Sequence, residues 1–536
     1  MFASILNVDE INKRLDTPFT FNFSKIENVH IQSPSLVRIK NKDERQSHFK
    51  DLASLLGGNK FIKTCELHSS GFINIQFNLH EVLASLNLSR SEIIETIKED
   101  SPSKYIFDYG GPNIGKSMHV GHLRPLNIGR ALYNIYSISG NECISDIHFG
   151  DWGVPIAQIL TFCYENNLTI EDISVKKLQE IYPKASKQSS EDSSFKNKVD
   201  RNLSKLNSKD SKIYNDWEKI SKVTIENVKT TLSKLNHNFD LLYGESSVVD
   251  IIPSMIGNLE KNKLVIMDSG ALISTQKTDP PVLILKSDGT YLYMTTDLAT
   301  VIDREKKFSP DNYIYVVDSR QSEHFKQLFS SVKHFNFSNS NFEHIGFGTI
   351  NDSEGKPFKT REGDVYPLES LWQDLFNILN KKNDENNATI LTNSVLVFSD
   401  LVVDRKSNYK FDIQNFTNTE GKTAIYLQYT RARIKSVLDN VKVENYINYE
   451  CRDEFRLSEV ELIISTIKFS ETFNRSKLLK EPHHLAEYLY EICQKFNSFY
   501  KDVRILDSEN RELQNRRINL LKLVLNLIDL IFEILG

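Results

Sequence analysis

The sequence predicts an α/β protein: a parallel-sheet core with an inserted helical segment, a small α+β domain before it and an all-helical bundle after it. Three observations carry this. The apolar strand YIFDY at 105–109 runs into a Gly/Pro-rich loop, a helical pattern and a second strand, ECISDIHF, the order of a parallel α/β unit. A Lys/Ser/Asn/Glu-rich stretch from about 162 to 245 keeps helical spacing of its apolar residues, as in YNDWEKISKVTIENVKTTLSKLNHNF. From about 420 the pattern is helical to the end, closing on INLLKLVLNLIDLIFEILG.

Taken in order, 1–102 is the first unit, in which TCELHSSGFINIQFNL at 64–79 reads as a strand pair broken by Ser69-Ser70-Gly71. Ser101-Pro102-Ser103 closes it. The first half of the core spans 103–161 and the insertion 162–275. The second half spans 276–350, a loop and connecting region 351–415, and the bundle 416–536. Strand signals stand at KLVIMD, ALIST, PVLILKS and TYLYMT, the last two joined by an Asp288-Gly289 turn, and again at NYIYVVD, 312–318. The core is therefore expected to be split by the insertion.

A length of 536 residues allows three or four domains of roughly 150 residues. Lys+Arg of 66 against Asp+Glu of 71 leaves a net charge of −5, which excludes a uniformly basic nucleic-acid coat and permits a local basic face. No apolar run approaches the roughly 20 residues of a membrane span. Cys65, Cys143, Cys163, Cys451 and Cys493 are widely spaced and never form a CxxC pair, which argues against a disulfide framework or a zinc site and suits a reducing cytoplasm. The start, MFASILNVDEINKRL, lacks the apolar core of a signal peptide. A cytoplasmic protein with no membrane partner and no metal ligands of its own is expected.

The chemistry concentrates after YIFDY, where the chain reads GGPNIGKSMHVGH and enters a helix. A strand, a flexible loop and a helix N-terminus make an anion site, because the first helical N–H groups and the dipole favour phosphate. His119 and His122, three apart, can face one side and donate to phosphate oxygens, Gly121 lets a flat base approach the backbone, and Lys116 adds charge. A lone HxxH would also read as two surface histidines; the loop around it favours a nucleotide.

HVGH resembles the HIGH signature of class I aminoacyl-tRNA synthetases, and DYGGPNIGKSMHVGHLRPLNIGRAL is similar to its arginyl-tRNA synthetase form. FGDWGVPIAQIL at 149–160, YLYMTTDLA at 291–299, VVDSRQSEHFKQLF at 316–329 and YLQYTRARI at 426–434 resemble further blocks of that family, in the same order. The resemblance implies a class I Rossmann-type core, an anticodon-binding C-terminal bundle and an N-terminal domain that meets the tRNA elbow. It implies an arginine–tRNA ligase that joins L-arginine and ATP into arginyl-adenylate and pyrophosphate, with Mg2+ accompanying ATP, and then loads tRNA(Arg); a monomer is expected, though the sequence leaves the oligomeric state open. His119, His122, Lys116 and Gly121 would then serve ATP. Lys359, in the glycine-bounded segment NDSEGKPFKTREGDV that stands where the family's KMSKS loop falls, would join them; alone, that segment also reads as a solvated loop.

A guanidinium is told from an ammonium by a carboxylate accepting two parallel N–H bonds. Asp297, with Tyr293 four residues before it, matches the family's side-chain readers, and a short turn after a TYLYMT strand would bring the two together. Glu245 matches a second carboxylate, though a Glu beside Gly is also an ordinary loop residue. Asp108, Asn113 and Gln321 match positions that hold the amino acid's polar end, while Gly110 stands where many relatives carry Ser. Trp152 reads equally as a ligand contact at the sheet edge or a core residue. Tyr426 and Tyr429, interleaved with Arg431, Arg433 and Lys435, form a stripe able to stack and clamp single-stranded bases, or an amphipathic helix burying its tyrosines; the family likeness favours tRNA. The alternative function is a paralogue that activates arginine or an analogue for a non-tRNA acceptor. A small-molecule nucleotidyltransferase would not need the bundle, and a non-catalytic relative would be expected to have lost HVGH or Lys116.

Overall fold

The structure, a computed structural model, describes residues 2–86, 89–352, 354–356, 366–441, 453–506 and 510–536. The chain divides into two compact units, one of residues up to Lys98 with Thr419–Ile534, the other of Glu99–Asn418 with Leu535 and Gly536.

In the first unit, β1 (Asn22–Phe23), β2 (Ile31–Ser33), β3 (Ile62–Leu67) and β4 (Ile73–Phe77) form an antiparallel sheet in the order β1-β2-β4-β3. The expected strand pair is β3 and β4, registered from Ile62↔Phe77 to Leu67↔Ile73. Ile73, Ile75 and Phe77 are buried while Asn74 and Gln76 are half-exposed, the period of two that a one-sided sheet requires.

In the second unit, β5 (Lys104–Tyr109) and β6 (Glu142–Asp146) pair in parallel, joined by helix α1 (Leu123–Ile138). Twelve residues of α1 are buried, so it is covered on more than its sheet face; Arg124 within it pairs with Asp400 at 3.0 Å, both side chains hidden from solvent. Helices run over Val175–Glu191, Ser193–Asn207 and Ser211–Lys234, in the stretch from about 162 to 245 that the sequence reads as helical.

The next strands differ from the sequence reading. β7 (Val265–Asp268), β8 (Ala271–Ser274) and β9 (Leu283–Leu285) stay out of the parallel sheet and make an antiparallel sheet of their own. Among the β7 residues only Val265 is buried, which suits a ribbon covered on one side and not a doubly covered parallel strand. TYLYMT is not a strand: Tyr291 makes a single bridge to Leu285, and helix α2 (Tyr293–Phe308) begins two residues on. Thr295 supports this start, its Oγ1 accepting from the Leu292 N–H at 3.2 Å and so satisfying a donor that helix starts leave open.

β10 (Asn312–Val316) then pairs with β5, helix α3 (Ser322–His334) follows, and β11 (Asn341–His344) adds outside β10, giving the parallel order β11-β10-β5-β6. The chain winds outward in opposite directions from the β5/β10 pair, the switch point where open α/β sheets bind ligands at their carboxyl ends. Short strands β12 (Ile350–Asn351) and β13 (Tyr409–Lys410) pair beyond it.

The C-terminal part of the first unit is helical, as predicted. It contains α4 (Ala424–Asp439), helices Leu457–Ile467 and Phe469–Leu479, α5 (His483–Asp502) and helix Arg511–Leu535, whose last residue belongs to the second unit. Leu485, Leu489, Ile492, Phe496 and Phe499 give α5 a buried stripe at helical spacing. No helix among the described residues is long and apolar enough to cross a membrane.

Candidate active site

A cavity of about 840 Å³ opens where β5, β6 and β10 end, lined by the residues that follow each strand: Gly110 and Gly111, His148 and Gly150, Val317 and Asp318. Asn113, His119, Gly121, His122, Glu245, Tyr293, Asp297, Asp108 and Gln321, each singled out from sequence, line it too. Two loop ends meet without room to spare at Gly111, where an added Cβ would lie 1.9 Å from the His148 carbonyl oxygen.

On the nucleotide side, His119 heads a 3-10 turn over Val120–His122 that runs into α1. The Gly121 N–H donates to His119 Nδ1 at 3.1 Å, and the His119 N–H donates to His122 Nδ1 at 3.1 Å, closer than the 3.3 Å between that nitrogen and the His119 carbonyl. His119 Nδ1 accepts from a backbone N–H, which leaves that ring's proton to Nε2, while His122 Nδ1 faces both the N–H and the carbonyl of His119. Burial, with Lys116 nearby, lowers the His119 pKa; burial and then the His119 ring push His122 down to about 3. The pair is neutral at physiological pH, with ring centroids 4.1 Å apart. Gly121 is what seats the first ring, since a Cβ there would lie 2.8 Å from His119 Cε1. The turn is pinned from outside by backbone bonds from Val120 N–H to the Tyr366 carbonyl and from Leu368 N–H to the Met118 carbonyl, each 3.0 Å.

The other side is acidic. Glu245 begins a 3-10 turn, its N–H bonded to the Phe149 carbonyl, and is 8% exposed. Burial first, and the Asp297 charge second, push its carboxyl up to about 8. Asp297 lies one turn into α2, four residues after Tyr293, so both project from one side of the helix; a helix, not a turn after a strand, joins them. Asp297 Oδ2 accepts from His324 Nε2 at 2.6 Å. Burial works against charge on His324, but this contact raises its pKa on balance.

Beneath the cavity a buried network was not foreseen. Arg304, 1% exposed and seven residues along α2 from Asp297, bonds Asp108 Oδ2 at 2.6 Å and Asp146 Oδ2. One guanidinium serves two carboxylates: burial raises Asp108, while Arg304 and His148 hold Asp146 below the usual carboxylate range in spite of burial. His148 Nδ1 is 3.7 Å from Asp146. With TYLYMT helical, the seven-residue spacing puts Arg304 on the same face as Asp297 and says nothing of its carboxylate partners. His148 and His324 lie within blocks already singled out, with no spacing signal of their own. On the rim, Asp318 grips Arg320 through two bonds of 2.7 and 2.9 Å beside Gln321.

Not everything converges. Lys116 stands with its Nζ 4.3 Å over the Tyr182 ring and is not among the cavity's lining residues, though it is close enough to lower His119. Lys359 and the rest of 357–365 lie outside the described residues. Trp152 is 4% exposed, edge-on to Trp217, and donates to Asn207 Oδ1 at 3.1 Å. Burial pushes the Cys143 and Cys163 thiols up to about 12 and about 11, unlike those of reactive cysteines. Among the described residues, a group able to hold a metal ion is Glu481, His483 and His484 at the head of α5, in the other unit. On α4, Tyr429 is 46% exposed, while Tyr426 Oη accepts from Asn497 at 2.9 Å, Arg431 pairs with Asp529, and Arg433 bonds Asn497 and lies over Tyr500.

Residues 85–413 match the family model of the class I tRNA synthetase (R) catalytic domain, and 427–536 that of the DALR anticodon binding domain. The arginine–tRNA ligase of Agathobacter rectalis is 32% identical over 531 residues, spanning 90% of this chain and 89% of that one. That of Francisella tularensis subsp. novicida is 33% identical over 500 residues, spanning 88% and 86%. The fold is shared with the arginyl-tRNA synthetase structures of Thermus thermophilus (TM-score 0.79, 18% identity, 100% of this chain and 98% of that) and Plasmodium falciparum (TM-score 0.78, 22% identity, 100% and 96%). Both domain models and relatives spanning most of its length agree with the parallel sheet and the HVGH turn at its switch point: the chain belongs to the class I arginyl-tRNA synthetase family.

Proposed function

We propose that this chain, an arginine–tRNA ligase by family, activates arginine with ATP in the cavity beyond β5, β6 and β10 and transfers it to tRNA(Arg). One observation carries the site assignment: the cavity has neutral imidazole N–H donors on one wall and two carboxylates on another. Phosphates suit the first wall and a guanidinium the second.

On this reading Asp297 and Glu245 take the guanidinium with Tyr293 beside them, and Asp108, Asn113 and Gln321 hold the α-amino and carboxylate end. An arginine carboxylate oxygen attacks the α-phosphorus, the bond to the bridging oxygen breaks, and pyrophosphate leaves. Negative charge spreads over the nonbridging oxygens, where His119 and His122 donate ring N–H without bringing charge; Lys116 and Lys359 bring the charge. In the second step a hydroxyl of the tRNA's terminal adenosine attacks the carbonyl carbon and gives up its proton as AMP departs. Gly121 leaves space for the base. The HVGH turn presents N–H donors, which fit phosphate oxygens, so magnesium would be held by ATP itself, where it neutralises phosphate charge.

The bundle, 416–536, takes the anticodon through Tyr426, Tyr429, Arg431 and Arg433, and residues 1–102 take the tRNA elbow. Exposed Tyr429 best supports this, because Arg431 and Arg433 are engaged within the bundle. The enzyme works as a cytoplasmic monomer, which sedimentation of the active protein tests. The function is tested by transfer of radiolabelled arginine to unfractionated tRNA with ATP: acid-stable counts in the tRNA are expected, and their absence from folded enzyme sinks the reading.

A further inference from the structure

The Asp297–His324 contact carries an inference that rests on the arginine-site reading above. Asp297 comes from α2 and His324 from α3, so the bond ties together two helices, and it commits Oδ2 of the carboxylate before any substrate arrives. Each side chain is 29% exposed and both line the cavity. The His324 ring meets Phe325, its neighbour in sequence, edge-on at 5.5 Å, and Phe325 stacks on His344 at 4.8 Å. We propose that His324 is the positioning residue for the guanidinium reader: as a neutral donor it fixes Asp297 by Oδ2 and leaves Oδ1 to arginine, and as a cation it competes with arginine for the same carboxylate.

The charges around it support this. Asp297 is the charged group that draws a proton onto His324, against the effect of burial. Of the other charged groups bordering the cavity, Glu245 carries a carboxyl raised to about 8, and Asp318 and Arg320 are bonded to each other. On α3 itself Glu323 and Lys326 are paired at 2.6 Å. Below the His324 pKa, an imidazolium already supplies Asp297 with its counter-charge, and an arriving guanidinium must displace that charge or expel the proton. Arginine affinity therefore rises as pH rises through that pKa.

The test is aminoacylation kinetics at saturating tRNA from about pH 6 to 9 with His324→Ala, His324→Gln, Asp297→Asn and the double variant His324→Ala/Asp297→Asn, and with Glu245→Gln alone and combined with His324→Gln. At about pH 8, His324→Ala is expected to raise arginine KM by roughly 10-fold or more, the scale of one lost hydrogen bond to a charged group, with kcat and ATP KM within about threefold of wild type. His324→Gln keeps an N–H donor, so its KM at that pH stays near wild type; placed in a Glu245→Gln background, which removes the carboxyl that titrates near 8, it abolishes the acid rise in KM that Glu245→Gln alone shows. In the double variant the alanine adds nothing. If Asp297→Asn raises arginine KM and His324→Ala does not, the inference is wrong and the arginine site stands. If His324→Gln keeps that acid rise in the Glu245→Gln background, the competition is wrong. If neither Asp297→Asn nor His324→Ala moves arginine KM, the arginine-site reading itself fails and this inference falls with it. Should the alanine variant not fold, judged by its melting curve, the pH profile of His324→Gln in the Glu245→Gln background decides.

Discussion

Arginine binding should expel a proton from Glu245. The carboxyl is pushed up to about 8, by burial and then by the Asp297 charge, so at about pH 7 it is mostly protonated. A protonated carboxyl cannot pair with a guanidinium as a charge, and a seated guanidinium returns it to the ionised form. If the bound form is fully ionised, the apparent dissociation constant scales as one plus ten raised to the difference between that pKa and pH: a factor of about 11 at pH 7 and about 1.1 at pH 9. Arginine should thus bind roughly tenfold more tightly at pH 9 than at pH 7, releasing about 0.9 proton at pH 7. Titration calorimetry in two buffers of different ionisation enthalpy counts that proton. His324 contributes in the same direction at lower pH, so Glu245→Gln, which cannot titrate, is the control: it should bind arginine more weakly and lose the step centred near pH 8. The stability sign is opposite. With its folded pKa raised, Glu245 favours the folded state most below about pH 4.5 and loses that advantage as pH rises through about 8, so Glu245→Gln should melt higher than the empty wild type at alkaline pH. Arginine affinity that is flat from pH 7 to 9, with no proton released, would refute the reasoning.

Four further outcomes are expected. His119→Ala and His122→Ala should each slow activation by about 100-fold or more with little change in arginine affinity, measured by single-turnover adenylate formation; a loss confined to binding would remove them from the chemical step. Asp297→Asn turns an N–H2 toward a substrate end made only of donors and should lower arginine kcat/KM by roughly 30- to 4,000-fold, from about 2 to 5 kcal/mol, while narrowing the preference over neutral citrulline; an unchanged preference would send the search for the reader elsewhere, first to Glu245. Tyr429→Ala should weaken tRNA binding by about 1 to 3 kcal/mol and spare the tRNA-saturated rate, by filter binding alongside aminoacylation; unchanged affinity would make it a bundle surface residue. ATP–pyrophosphate exchange should need tRNA, as the family likeness implies, and full exchange without it would contradict that.

The core was legible because its signals are local. An apolar run followed by glycines is enough to read β5 and its loop, and three-residue spacing is enough to pair His119 with His122. What was not legible depended on distance along the chain. The strands at 265–285 look like those at 105 and 312 in composition, and only the tertiary partner decides that they form a separate antiparallel ribbon. TYLYMT alternates over too few residues to separate strand from helix, and the helix start is capped from within by Thr295. The pairing of Arg304 with Asp108, 196 residues apart, leaves no trace in either segment, and the bonds holding Arg431 and Arg433 within the bundle are equally silent in a sequence that shows a basic aromatic stripe.

Helix α2 has a consequence for selectivity. Asp297 faces the proposed guanidinium end, and Arg304 holds Asp108 at the proposed amino end. Seven residues separate them, two turns and about 10 Å along a rigid rod. If the arginine site is as proposed, the helix is a gauge for the length of the amino acid. A substrate one methylene short that satisfies one terminus leaves the other unpaired, whatever the surrounding loops do. One residue inserted between the two marks would swing Arg304 by about 100° and erase the calibration, so a descendant enzyme seeking a shorter substrate must move the marks along α2 instead of remodelling the rim.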